Sequence, residues 1–439
     1  MKLENEKAPE PQQERNESGK SKMSRRELLK LSAAAGTGMF VGMGGMGAFM
    51  SFSGILKSSS SSQEPSSAAK DNQTSQTGVA GSIPFYGTKQ AGIATPPQKY
   101  MCFAAFDIVH ADRMKLEQLC KTWTDYSANM TAGKSVGKAN LEGLAPPDDT
   151  GETHELPPAQ LTITFGFGPT LFRKDGVDRF GLAAKQPDEL VDIPAMPGDA
   201  LTEQESGGDV CIQACSDDPV VSFHAIRNLA RVAQGTAKIR WVQEGFLSAP
   251  DGQTPRNLFG FKDGTANNEL ENDQAMERYV WASPSNNPLW MTGGTYLAVR
   301  KIRMFIDEWD QTALQKQEAT FGRQKESGAP FGKKNEADAV SMRHIPTDSH
   351  VWLARGTGTK MWRRSYSYSR GLDATSGDLD AGLLFISFQQ SIKNQFIPML
   401  SILAQHDALN KYTSHLSSAV FACPPGAQEG SFIGEALFR

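Results

Sequence analysis

The sequence predicts an α+β fold built from two ferredoxin-like halves with antiparallel sheets. Three observations predict it. Between residues 100 and 244, stretches of strand-like and helix-like periodicity follow one another in the order β-α-β-β-α-β, the ferredoxin-like unit. From residue 294 the plan recurs: TYLAVRKIRMFIDEWDQT echoes YMCFAAFDIV with LEQLCKTW, and AGLLFISFQQ echoes GDVCIQACSD. Finally, 439 residues exceed the usual length of one domain, about 100 to 200 residues, and leave ample chain to bury a core.

In the first half, Tyr100–Val109 is apolar and strand-like. Asp112 then caps a helix running to Tyr126, with Met114, Leu116, Leu119, Cys120 and Trp123 at helical spacing. A Pro/Gly/Asp-rich excursion from Gly143 to Pro158 reads as loop. Strands follow at Leu161–Phe167 and Asp209–Cys215, then a helix at Pro219–Gln234 closed by Gly235, then a strand at Ala237–Glu244. In the second half, Gly294–Met304 reads as a strand and Phe305–Gln317 as an amphipathic helix. A Gly/Lys/Glu-rich insertion spans Phe321–Met342, placed to line an access channel. A short strand is predicted at His350–Leu353 and another at Gly382–Gln389. A helix at Phe396–His406 and a strand at Ser417–Ala422 complete the half.

Ahead of the folded part, Ser24-Arg25-Arg26-Glu27-Leu28-Leu29-Lys30 opens onto an uncharged run from Leu31 to Leu56. Twin arginines before an apolar segment read as a twin-arginine export signal. At this length the run also suffices for a membrane anchor, so tethering by an uncleaved signal is the alternative. The Ser/Gln/Thr-rich tract that follows holds too few apolar groups to offset its ordering entropy and reads as a linker. The expected organisation is residues 1–56 signal, 57–96 linker, 97–265 first half and 266–439 second half.

A net charge of −4, with both signs dispersed, gives no basic stripe, so nucleic acid and anionic membrane surfaces are not expected partners. The five cysteines, Cys102, Cys120, Cys211, Cys215 and Cys423, are odd in number and lack paired metal spacing. Buried free thiols are expected, with Cys211 and Cys215 on one face of a strand.

Chemistry concentrates in two places. The first is Asn257–Asn267, NLFGFKDGTAN, where glycines at 260 and 264 can adopt φ > 0 and present the carboxylate of Asp263 on a tight turn. The second is an ordered set: Asp348-Ser349-His350, then Arg363-Arg364-Ser365-Tyr366, then Asp378-Leu379-Asp380 leading into the apolar AGLLF. Adjacent arginines in a strand face opposite ways, so one of the two is expected to enter a pocket.

Together these motifs, over roughly residues 97–430, resemble the dye-decolourising (DyP-type) peroxidases, whose signature is G-x-x-D-G followed by an axial His, a distal Arg and an acid before an apolar strand. The form GFKDGTAN, DSHVWLA and RRSYSYS, with the twin-arginine start, is most similar to the EfeB-like deferrochelatase/peroxidase branch of ferrous-iron uptake systems. The resemblance implies the dimeric α/β barrel-like superfamily, with one haem b per chain between sheet and helices of the second half. It makes His350 the axial ligand, with His344 as rival, and Asp380 the acceptor at its Nδ1, with Asp378 as rival. It implies Asp263 as acid/base and Arg363 as charge stabiliser. Arg364 is the alternative stabiliser or a propionate partner. Ser365 is expected on the face of Arg363, holding a distal water, while Gly264, Thr265 and Asn267 belong to the cofactor-binding loop, with Asn267 bonding the loop backbone or a propionate. An aspartate base, with an ordinary pKa of about 3.9, further implies an acidic optimum.

The implied activity is reduction of hydrogen peroxide with oxidation of a donor, ferrous iron in that branch, together with release of iron from haem with the porphyrin intact. Implied partners are the twin-arginine export machinery, which carries folded, cofactor-loaded proteins, an iron-uptake permease and lipoprotein, and a second copy of the chain as homodimer. The competing expectation is a haem-binding or haem-storage protein of the cell envelope without turnover, which needs His350 but neither Asp263 nor Arg363.

Overall fold

The computed structural model describes residues 79–138 and 143–439. The twin-arginine segment and most of the linker lie outside the described residues. Ser75–Arg439 form one compact unit that contains both halves.

In the first half, β1 (Tyr100–Ile108), β2 (Thr162–Phe167), β3 (Val210–Ser216) and β4 (Ala237–Phe246) pair in the order β2-β3-β1-β4, all antiparallel. Helices α1 (Arg113–Thr131) and α2 (Pro219–Val232) cover this sheet. Each starts at an aspartate whose carboxylate accepts two free backbone N–H groups: Asp112 from Met114 and Lys115, Asp218 from Val220 and Val221. Leu116, Leu119, Cys120 and Trp123 of α1 are buried, as the helical spacing predicts.

The second half repeats the plan with β5 (Thr295–Met304), β6 (Trp362–Arg363), β7 (Tyr366–Leu372), β8 (Leu379–Gln389) and β9 (Thr413–Cys423). β5 lies between β8 and β9, and β8 also pairs with β6 and β7. The two sheets meet at two short seams, Phe167 against Ala422 and Phe246 against Ser367, which close the strands into a barrel. Its interior is filled by Phe103, Trp241, Leu297, Val299, Tyr366, Leu384, Ile386, Phe388 and Phe421, with Cys211 and Cys215 among them. All five cysteines are free and buried.

Local departures from the sequence reading have physical causes. The stretch Phe305–Gln317 is not one helix: a short turn at Ile306–Asp310 is followed, after Gln311–Ala313, by α3 (Leu314–Phe321). The predicted strand at His350–Leu353 is the first turn of helix α4 (His350–Gly356), entered from Ser349 in extended conformation. Leu353 N–H donates to the Ser349 carbonyl at 3.1 Å. Four residues of His-Val-Trp-Leu are too few for alternation to be told from helical spacing. The last helix, α5 (Ile397–His406), is preceded by a π-type turn at Ile392–Phe396.

Candidate active site

Strand parity divides β8 between two compartments. Leu384, Ile386 and Phe388 point into the barrel, whereas Leu383 and Phe385 line a cavity of about 360 Å3 on the opposite face. Arg300, Ile302 and Met304 of β5 line the same cavity, as do Phe396, Met399, Leu400 and Leu403 of the π-turn and α5. Its volume falls within the range of small-molecule and cofactor sites, about 300 to 1,000 Å3.

Asp263 reaches this cavity on a tightly tied loop. Asn257 accepts from the backbone N–H groups of Phe259 and Phe261 through its side chain, and Asp263 N–H donates to the Pro255 carbonyl at 2.8 Å. Gly260 has φ +82° and the Lys325 side chain packed where a Cβ would stand; Gly264 has φ +117°. Beneath the loop, Phe261 stacks on Phe321 with centroids 4.0 Å apart, and Phe259 stacks on the fully buried Trp309 at 4.4 Å. The insertion clasps the loop from outside: Glu336 takes Lys262 Nζ at 2.7 Å and the Thr265 hydroxyl at 2.6 Å. Phe321, Arg323 and Gly328 of that insertion line the cavity.

Arg363 faces the cavity, and its Nη1 lies 3.2 Å from Asp263 Oδ1. Arg364 faces the other way, fully buried and bonded to the Thr95 carbonyl and Gln98 Oε1, with no access to the cavity. Asn267 is not among the cavity-lining residues and holds the peptide of Arg363: its Nδ2 donates to the Arg363 carbonyl at 2.6 Å, and its Oδ1 accepts the Arg363 N–H at 3.0 Å. The acidic loop and the arginine strand are thereby locked together. Ser365 sits in the break between β6 and β7, its hydroxyl accepting from Ile386 N–H at 3.3 Å, and is not among the cavity-lining residues. Thr265 lines the cavity beside its Glu336 bond.

His350 lines the cavity from α4, and its Nδ1 lies 2.6 Å from Asp407 Oδ2. The partner is therefore Asp407 and not Asp380, a correction that parity explains. Asp380 shares the even-numbered face of β8 with Leu384, opposite to the cavity, and its buried Oδ1 makes no hydrogen bond among the described residues. Asp407 sits between α5 and a 3-10 turn, where its other oxygen accepts Leu409 N–H at 2.9 Å. Burial opposes the charged imidazolium of His350, but the Asp407 carboxylate outweighs that penalty and raises its pKa. His344, the rival, does not line the cavity. Among the described residues, no group of three or more His, Cys, Asp and Glu is arranged to hold a bare metal ion.

These residues fit a haem. With Nδ1 committed to Asp407, Nε2 is the nitrogen of His350 left without a protein partner among the described residues, on the wall of a largely apolar cavity.

Two family models decide the relationship: Dyp-type peroxidase, N-terminal, matches residues 90–247, and Dyp-type peroxidase, C-terminal, matches residues 254–428. The chain belongs to the Dyp-type peroxidase family. It is an enzyme with peroxidase or deferrochelatase activity. A deferrochelatase from Escherichia coli O157:H7 is 36% identical over 374 residues, covering 81% of this chain and 87% of the relative. One from Shigella flexneri serotype 5b is 33% identical over 445 residues, covering 97% and 100%. Among solved structures, the oxyferrous complex of DtpA from Streptomyces lividans superposes with a TM-score of 0.74 at 34% identity, covering 82% of this chain and 98% of that one. The two ferredoxin-like halves are thus those of the Dyp-type fold.

Proposed function

We propose that this chain is an exported peroxidase holding one haem b through His350, which reduces hydrogen peroxide while oxidising ferrous iron for an uptake system, and which also releases iron from haem with the porphyrin intact. The observation that carries the proposal is the convergence on one cavity of an imidazole braced by Asp407 and a carboxylate paired with a guanidinium. A bound haem supplies the redox chemistry, the two electrons that peroxide takes up. Asp263 receives a proton from one peroxide oxygen and returns it to the other, and Arg363 stabilises the negative charge that develops as the O–O bond parts. Asp407 keeps the proton of His350 on Nδ1, leaving Nε2 as a lone-pair donor. The name of the deferrochelatase relatives supports iron release, in which haem is substrate. Arg25-Arg26 and the apolar run behind them support export by the twin-arginine route, with an iron-uptake permease and lipoprotein as partners.

The deciding experiment starts from protein purified after haem-replete expression. A Soret band that shifts within the mixing time of peroxide supports turnover. A Soret band inert to peroxide points instead to haem storage. Free protoporphyrin after anaerobic incubation with haem supports iron release, and its absence removes that activity. Replacing Arg25 and Arg26 by lysine is expected to hold the protein in the cytoplasm; undiminished export would refute the route.

A further inference from the structure

A second polar group lines the same cavity, on strands other than the one bearing Arg363. Arg300 on β5 is only 1% exposed. Its Nη2 is bonded to Asp199 Oδ1, and its Nε donates to His415 Nδ1 on β9 at 2.9 Å. Asp199 is itself fixed, its second oxygen accepting Met196 N–H at 3.0 Å. Arg300, Asp199 and His415 all border the cavity. Yet Arg300 Nη1 is buried with no hydrogen-bond partner among the described residues, and a buried unpaired donor is a costly arrangement unless something fills it.

His415 adds a second donor. Burial, reinforced by the Arg300 cation, lowers its pKa to about 3, so the ring is neutral near pH 7. Because Nδ1 accepts from Arg300, the ring proton resides on Nε2. That N–H has no protein acceptor among the described residues. Two donors from adjacent strands therefore border one apolar chamber, whose sheet face between them and Arg363 is formed by Ile302, Leu383 and Phe385. With Asp199 already committed to Arg300 and Met196, the cluster offers donors and lacks a matching acceptor.

We infer that Arg300 Nη1 and His415 Nε2 form a seat for a carboxylate, carried either by a haem propionate or by a separate carboxylated donor molecule. The inference rests on the haem reading of the cavity only for the first source. Two variants test it: His415→Phe, and Arg300→Met combined with Asp199→Asn, which removes the ion pair as a unit and avoids a lone buried charge. Thermal unfolding confirms that each is folded, and should the double variant fail to fold, His415→Phe decides alone.

The full chain, prepared free of haem, is titrated with haem and with haem dimethyl ester, and the haem-loaded chain with benzoate, all followed at the Soret band. The seat holds a propionate if the variants bind haem at least 10-fold more weakly while the ester binds wild type and variants alike. It holds a separate donor if haem affinity is unchanged and benzoate perturbs the band of wild type only. Variants that match wild type with all three probes, or that lose haem and ester equally, overturn the inference. A wild-type chain that binds no haem defeats the haem reading itself; direct binding of benzoate to the haem-free chain, present in wild type and lost in His415→Phe, then still decides the seat.

Discussion

Replacing Asp407 by asparagine isolates the charge behind His350. The amide oxygen can still accept from Nδ1, so the 2.6 Å contact is kept in outline while its ionic component is removed. A hydrogen bond to a charged group contributes about 1.5 to 3 kcal/mol and a neutral one about 0.5 to 1.5. The difference, about 1 to 1.5 kcal/mol, corresponds to roughly tenfold in an equilibrium constant, at the lower edge of the 10- to 100-fold typical of residues that orient metal ligands. Haem titration of the full chain is therefore expected to give a Kd about tenfold weaker, and potentiometry an upward shift of the iron couple, since a less basic imidazole stabilises the ferric state less. Asp380→Asn is the control: facing away from the cavity, it should leave both quantities unchanged. Wild-type values in Asp407→Asn, together with loss in Asp380→Asn, would refute the assignment.

Further outcomes are expected at neighbouring positions. Asp263→Asn keeps the haem spectrum and slows the reaction with peroxide by about 10²-fold or more in stopped flow, the usual contribution of a positioned acid/base. Asn267→Ala unpairs both backbone groups of Arg363; a cost of about 1 to 3 kcal/mol should appear mainly as a slower peroxide reaction with haem affinity retained, and equal loss of both would contradict a positioning role. Trp309→Ala removes a fully buried indole from between Phe259, Phe261, Phe321 and Tyr412, with an expected loss of about 3 to 5 kcal/mol by denaturant unfolding. Finally, His415 has a folded pKa of about 3 against an ordinary 6.5, so below pH 6.5 the unfolded chain binds a proton that the folded chain does not. Stability is fully present above 6.5 and falls as pH drops toward 3, and His415→Gln should flatten Tm against pH in that window.

The architecture was legible because each half writes the same alternation of period-two and period-3.6 segments, and because Asp112 marks a helix start. Asp263 and the two-faced arginine pair were legible for the same local reason: glycines and strand parity act within a few residues. Asp407 was not. It lies 57 residues from His350 and meets it only because α4 and α5 pack together. In sequence it is one more aspartate after a helix, whereas Asp380 stood beside a conspicuous apolar strand and drew the assignment. Glu336 was likewise hidden, since its clasp on Lys262 and Thr265 bridges an insertion whose composition suggests only a loop. The Asn267 side chain holds backbone, as its loop setting suggests, but that of Arg363, 96 residues on, which no local signal marks.

The division of β8 between two compartments has an evolutionary corollary. A deletion or insertion of one residue within Leu379–Gln389 would rotate Leu383 and Phe385 into the barrel and bring Leu384 and Ile386 out to the cavity, spoiling hydrophobic packing and chemistry in a single event. Length variation among descendants of this gene should therefore accumulate in the Phe321–Met342 excursion and spare that strand.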